Sequence, residues 1–190
     1  MIRLGYMAKF IKTKPSWLHC MHVEKVFSVS RCFSSDFCDW TDAWKHNGYW
    51  LFDSPTVIQK IASQKQVDLS QTVLCYYEGL KWEYDPQTRW QAYGPEPSMP
   101  VHVIAPRSKT HLGFDVVTYS QHNAAECSPL SCNELCKEVK VNKWCLLDSF
   151  EEAMALCESD TLTSSEPGPY RIISVSAVPW ESTDFTHVSA

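Results

Sequence analysis

The chain has 190 residues, 44% of them hydrophobic and 21% charged, usage that excludes collagenous, coiled-coil and charge-rich disordered chains and suits one globular domain of ordinary size. Asp and Glu (22) outnumber Lys and Arg (17), giving a formal charge of −5, which argues against a generic nucleic-acid binder. The unusual counts are nine cysteines and eight tryptophans.

Residues 1–10 lack the apolar centre of a signal peptide because Arg3 and Lys9 interrupt them. No apolar run approaches the roughly 20 residues of a spanning helix. The expectation is a soluble, cytoplasmic chain without membrane contact, its cysteines present as thiols. Nine is odd, so complete intramolecular pairing is impossible in any case. Met7-Ala8-Lys9 reads as a second start, with residues 1–6 as an upstream extension. Charge is uneven. Residues 1–31 carry six bases against Glu24 alone, whereas in residues 146–190 Arg171 is the sole Lys or Arg among many acids. This describes a single domain over 1–190 with a basic N-terminal arm over 1–15 and a fraying tail over 181–190.

The elements follow in chain order. Residues 20–31 alternate, with Met21, Val23, Phe27 and Val29 on one face, as in a half-buried strand. Residues 48–52 form a short apolar strand. Ser54-Pro55 opens a helix to about residue 66, with Ser as N-cap, Pro at the first position and Val57, Ile58, Ile61 and Ala62 as its apolar stripe. Residues 72–84 are the longest strand, turned at 85–88 toward a hairpin partner over 89–93. Further strands fall at 101–104 and 114–119. Ser128-Pro129 opens a second helix over 129–138. Ser149 and Glu152 make a capping box for a third, which buries Phe150, Ala153, Met154 and Cys157. The last strand spans 170–178. No internal repeat is apparent. Alternating strands without regular βαβ order predict an α+β fold, a mainly antiparallel twisted sheet of about five to seven strands with two or three helices packed on it.

Four places carry candidate chemistry. Cys127 and Cys132 flank the predicted start of the second helix, where a helix N-terminus lowers a thiol pKa. With His122 as base and Asn123 or Glu126 to orient it, either cysteine would serve a thiol enzyme. Cys127, Cys132, Cys136 and Cys145 also form a thiol-rich set, and Cys20, His22 and Glu24 share a strand face. Neither has the Cys-x-x-Cys spacing of a zinc knuckle, so no metal or other cofactor is assigned. Glu78 interrupts the apolar face of the longest strand, and with Asp115 it makes a pair of carboxylates of the kind glycoside chemistry uses. Trp40, Trp44, His46 and Tyr49 form an aromatic stretch in which Trp40 and Trp44 lie among charges, as at a partner or ligand surface.

Gly48-Tyr-Trp-Leu-Phe-Asp-Ser-Pro55, Gly113-Phe-Asp-Val-Val-Thr118, Glu126-Cys-Ser-Pro-Leu-Ser-Cys-Asn133 and Glu166-Pro-Gly-Pro-Tyr-Arg-Ile172 together resemble a family of uncharacterised bacterial proteins. The resemblance spans about residues 7–180. It implies an accessory role of the defence or immunity type carried on mobile gene cassettes, and no activity, cofactor or catalytic residue carries over from it. The leading expectation is a non-catalytic binding protein that meets a protein or small ligand, or a second copy of itself, through Trp40, Trp44, His46, Tyr49 and Glu78. The alternatives are a thiol-dependent enzyme using Cys127 or Cys132 with His122, and a structural zinc protein.

Overall fold

A computed structural model describes residues 1–38, 46–119 and 124–180. In chain order it holds strands β1 (Ile2–Phe10), β2 (Lys12–Thr13), β3 (Lys25–Val26) and β4 (Ser35–Asp36), helix α1 (Pro55–Lys65), strands β5 (Val73–Gly79), β6 (Trp82–Asp85), β7 (Arg89–Ala92) and β8 (Thr110–Thr118), helices α2 (Pro129–Cys132) and α3 (Phe150–Glu158), and strand β9 (Tyr170–Val178). Seven strands make one sheet in the order β4-β1-β5-β9-β6-β7, with β8 also pairing β9. Every pair is antiparallel. The α+β expectation is met. Among the described residues no helix is long and apolar enough to cross a membrane.

The two faces of the sheet are covered differently. Tyr6, Leu74, Tyr76 and Val178 share one face by register. That face meets α1, whose Ile58, Ile61 and Ala62 are buried. Phe114, Val116 and Ile172 continue it toward α3, whose Ala153, Leu156 and Cys157 are buried. Met7, Lys9, Cys75, Tyr77 and Asp115 point to the other face, which loops cover. The α3 capping box is present as predicted, with Ser149 accepting from Glu152 N and the Glu152 side chain accepting from Ser149 N.

Several local expectations are corrected. Residues 2–10 are no basic arm but the inner strand β1, and Lys9 is fully buried. The alternation over 20–31 fails: Val23, Phe27 and Val29 are buried, but Met21 is 78% exposed and residues 26–30 are buried without a break, and this backbone bonds to Lys143 O and Trp144 O across a loop, with a strand only at Lys25–Val26. The expected strands over 48–52 and 101–104 are a turn with one bridge at Phe52 and an irregular segment. The 72–84 strand breaks at Gly79 into β5 and β6. The second helix stops after one turn at Cys132, because Glu134 takes φ 56°.

The absence of an internal repeat is also overturned. Asn47 Oδ1 accepts from Tyr49 N and Leu51 N, and Nδ2 donates to Leu4 O. Asn142 Oδ1 accepts from Trp144 N and Leu146 N, and Nδ2 donates to Leu112 O. Trp50 and Cys145 follow at φ 60° and 62°. Phe52 then bridges Tyr6, Leu147 bridges Phe114, and α1 and α3 begin after Ser54 and Ser149. Gly5 of β1 and Gly113 of β8 sit at register shifts with φ 142° and 143°. Each half therefore runs strand, asparagine turn, helix, strand. The two closing strands, β5 and β9, pair with Tyr77 opposite Val175, across a local two-fold axis.

Candidate functional site

The site lies on the loop-covered face, where two segments distant in sequence meet. One is residues 28–36, which leave the core and return as β4 beside β1. Lys9 fixes this loop from below. Its ammonium donates to Val29 O (2.9 Å) and Ser30 O (2.8 Å) and pairs with Asp36 (2.9 Å). The other is residues 126–133. Thr118 N donates to Cys127 O and Glu126 N to Thr118 O, so this segment pairs antiparallel with the end of β8 before α2 turns away.

The junction brings Cys32, Cys127 and Cys132 together, with their sulfurs all within 4.8 Å of one another. Cys32 is exposed, Cys132 half-buried and Cys127 buried. They open into a groove walled by Trp17, Phe33, Asn133 and Glu166, with the Trp17 and Phe33 rings 5.9 Å apart. Cys127 Sγ lies 3.0 Å from Asn133 Oδ1, and Asn133 Nδ2 donates to Glu166 (2.9 Å). Ser30 Oγ is 3.7 Å from Cys132 Sγ. As a thiol, Cys32 donates to Glu126 O (3.2 Å).

The three thiols share their protons unevenly. Hydrogen bonds from Cys127 and then Cys132 hold Cys32 far below the usual thiol range, with Ser30 and the charge of Lys9 adding to the effect. Cys127 is raised by the same bonds to Cys132 and Cys32 and then by burial. For Cys132 the bond to Cys127 pulls down, but the bond to Cys32 and burial outweigh it and the thiol is raised. Cys32, the exposed member of the group, is thus the thiol whose proton leaves first.

Asp115 lies beneath the junction. It is buried, and its Oδ2 accepts from Val29 N (2.9 Å) and from Ser128 Oγ (2.7 Å). Ser128 Oγ in turn accepts from Ser30 N (3.2 Å). Burial pushes the Asp115 carboxyl up from 3.8 to about 6, against the opposing pull of these bonds and Lys9. Its folded value exceeds its unfolded one, so the folded chain holds this proton more tightly. The stabilisation is complete below pH 3.8 and is lost as pH rises through about 6. In metal-free buffer, urea unfolding should show the wild type losing on the order of 2–3 kcal/mol relative to Asp115→Asn between pH 4 and 7. Parallel pH profiles for the two proteins would refute this assignment.

The other predicted residues fall as follows. Cys136 is joined to Cys20 by a disulfide, with Cα atoms 5.6 Å apart, so these two are not thiols. That removes Cys136 from the thiol-rich set and Cys20 from the set with His22 and Glu24, both of which are exposed. Cys145 is buried and reaches Leu130 O (3.7 Å). Cys132 ends a helix of four residues, so the predicted dipole effect on its thiol is absent. His122, Asn123, Trp40 and Trp44 lie outside the described residues. His46 is buried and stacks on Phe52 (4.5 Å), and Tyr49 is half-buried with Tyr93 at 6.4 Å. Both line a cavity of about 50 Å³ in which Arg171 lies between Tyr93 and Tyr119, room for a few waters. Glu78 pairs with Lys109. It shares a face with Ser174 and Phe114, so the next residue, Asp115, points to the opposite face and the two carboxylates cannot work on one bond.

Cys32 escaped the sequence reading. Its nearest local signal is the serine-rich setting Ser28-Val-Ser-Arg-Cys-Phe-Ser-Ser35, whose hydroxyls bond the loop to itself through Ser34 N to Ser28 Oγ and Ser34 Oγ to Val26 O. No family model, curated protein sequence or solved structure matches the chain.

Proposed function

We propose that the protein is a binding protein whose ligand is a thiophilic d10 metal ion, zinc or cuprous copper, held by Cys32, Cys127 and Cys132. The convergence of three sulfurs within 4.8 Å carries this reading. Zn–S bonds of about 2.3 Å in a tetrahedral site require sulfurs about 3.8 Å apart, a contraction of about 1 Å at most from the observed spacing. Soft thiolates select these ions over harder ones. No further Cys, His, Asp or Glu among the described residues joins the group, so the described residues supply three ligands beside the Trp17 groove. Closed structural zinc sites supply four protein ligands, and a site with three leaves its fourth position to water or another small ligand. The reading stays within the class of non-catalytic binding proteins and assigns the ligand contact to the thiol groove.

A second reading, a thiol-dependent enzyme, is favoured by one observation: Cys32 is exposed and its thiolate is stabilised. It makes Cys32 the nucleophile, with Cys127 and Cys132 as proton donors. One experiment separates the two. The reduced chain is titrated with zinc, and with cuprous copper under argon, against a chelator, then treated with iodoacetamide near neutral pH. The metal reading expects one equivalent bound, protection of Cys32 from alkylation, and a Cys32→Ser affinity loss beyond the about 10–100-fold of an outer-shell change. Uptake below roughly one-tenth of an equivalent of either ion overturns it. Fast alkylation of Cys32 in that same sample leaves the enzyme reading standing.

A further inference from the structure

We propose that Asp115, acting through Ser128, is the positioning residue of the three-thiol site, holding the Cys32 loop and the Cys127 and Cys132 segment in the one register that lets the sulfurs meet. For its ligand this rests on the metal reading above; for its geometry it stands alone.

The carboxylate makes no bond to a sulfur. It takes Val29 N from one segment and Ser128 Oγ from the other, and Ser128 Oγ takes Ser30 N. Cys32 lies two residues beyond Ser30, and Ser128 directly follows Cys127. The same two loop residues are held from their carbonyl side by Lys9. Both polar groups of Val29 and of Ser30 are thus tied to buried side chains, and the loop has no slack at the point where it delivers Cys32. Ligands gain affinity when their orientation is fixed in advance by bonded neighbours, and loss of such a neighbour costs about 10–100-fold in metal affinity.

The internal duplication separates fold from site. Asp115 stands two residues after Gly113, opposite Ile173, and Met7 stands two residues after Gly5, opposite Cys75. The architecture at this position therefore accepts a thioether in one half. A buried carboxylate is costly to desolvate, and the half that bears it is the half that contributes Cys127 and Cys132. Asp115 is thus required by the loops it ties and not by the strand it sits on.

The test uses the full chain with Asp115→Asn, Ser128→Ala, Ser128→Thr and, as a control, Ser176→Ala. Ser176 is buried on β9 and touches neither segment. Zinc affinity by chelator competition should fall about 10–100-fold in Asp115→Asn and Ser128→Ala. It should stay within about threefold in Ser128→Thr, which keeps the hydroxyl, and in the control. Circular dichroism in metal-free buffer should match the wild type. A second readout needs no metal. Diamide takes two electrons and two protons from a pair of thiols and leaves a disulfide. The yield of Cys32 joined to Cys127 or Cys132 should be at least about tenfold lower in the two clamp variants, in line with the affinity loss. If wild type binds no metal but this difference persists, the metal reading fails and the clamp stands. If wild type binds zinc and both clamp variants match it in affinity and crosslinking, the clamp fails and the metal reading stands. Failure of both clamp variants to fold overturns the clamp, since the residues would then serve the fold.

Discussion

Lys9→Met should lower the unfolding free energy by about 3–5 kcal/mol in urea denaturation at pH 7, the range found when one partner of a buried ion pair is removed. Lys9 has no exposed surface, so its charge is held entirely by Val29 O, Ser30 O and Asp36. Methionine fills nearly the same volume, so the cavity contribution is small. What remains is Val29 O without its donor, Ser30 O with only the Ser28 hydroxyl at 3.1 Å, and the Asp36 carboxylate, 8% exposed, with Arg31 as its remaining ion partner at 2.6 Å. Each unsatisfied buried group costs about 1–3 kcal/mol. The equivalent position in the second half, four residues past the glycine, is Val117, so the sheet itself has no need of an ammonium there. A loss under about 1 kcal/mol would mean that water reaches the loop carbonyls and that the loop is not fastened as described.

Lys9 also shows where the sequence was legible and where it was not. The α3 helix could be read because its signals are local: Ser149 and Glu152 satisfy one another's backbone within a single turn, and no distant residue is needed. β5 and β9 could be read for the same reason, since the aromatic residues of β5 and the β-branched residues of β9 describe a strand whichever neighbour it pairs with. β1 was misread as an arm because Arg3 and Lys9 are charged, and a charge normally marks a surface. Its burial depends on acceptors some twenty residues away, which no window contains. The site divides in the same way. Cys127 and Cys132 stood out by their place at a helix start signalled by Ser128-Pro129, whereas Cys32 joins them only through the fold, and Asp115 was noted for a partner, Glu78, that the pleat places on the other face. The duplication hid because its halves keep little more than Asn, Leu, Asp and Ser at matching places around the turns. The backbone bonds that define the motif accept almost any side chain at the remaining positions.

Gly5→Ala and Gly113→Ala should each cost about 2–6 kcal/mol, and the two should agree within about 1 kcal/mol. Two effects add. Backbone at φ 142° and 143° is essentially restricted to glycine, at a cost of about 1–3 kcal/mol for any other residue. The added Cβ would also lie 2.7 Å from Leu51 Cβ and 2.8 Å from Phe52 O at Gly5, and 2.6 Å from Leu147 O and 2.8 Å from Leu146 Cβ at Gly113. These neighbours are backbone or the first atom of a side chain, so no terminal rotamer can relieve them, and overpacking of this kind costs about 1–3 kcal/mol. In both halves the contacts belong to the asparagine turn, which is why the strand shifts register there and lets the turn approach. Gly94, with nothing within 4 Å of its added Cβ, is the control, and its alanine variant should stay within about 0.5 kcal/mol of wild type. Equal penalties at Gly5 and Gly113 would mean that one device, a glycine admitting an asparagine turn against a bulged strand, closes both halves. A tolerated substitution at one of them would mean that this half no longer depends on the close approach, and that the symmetry survives there in outline without its original cause.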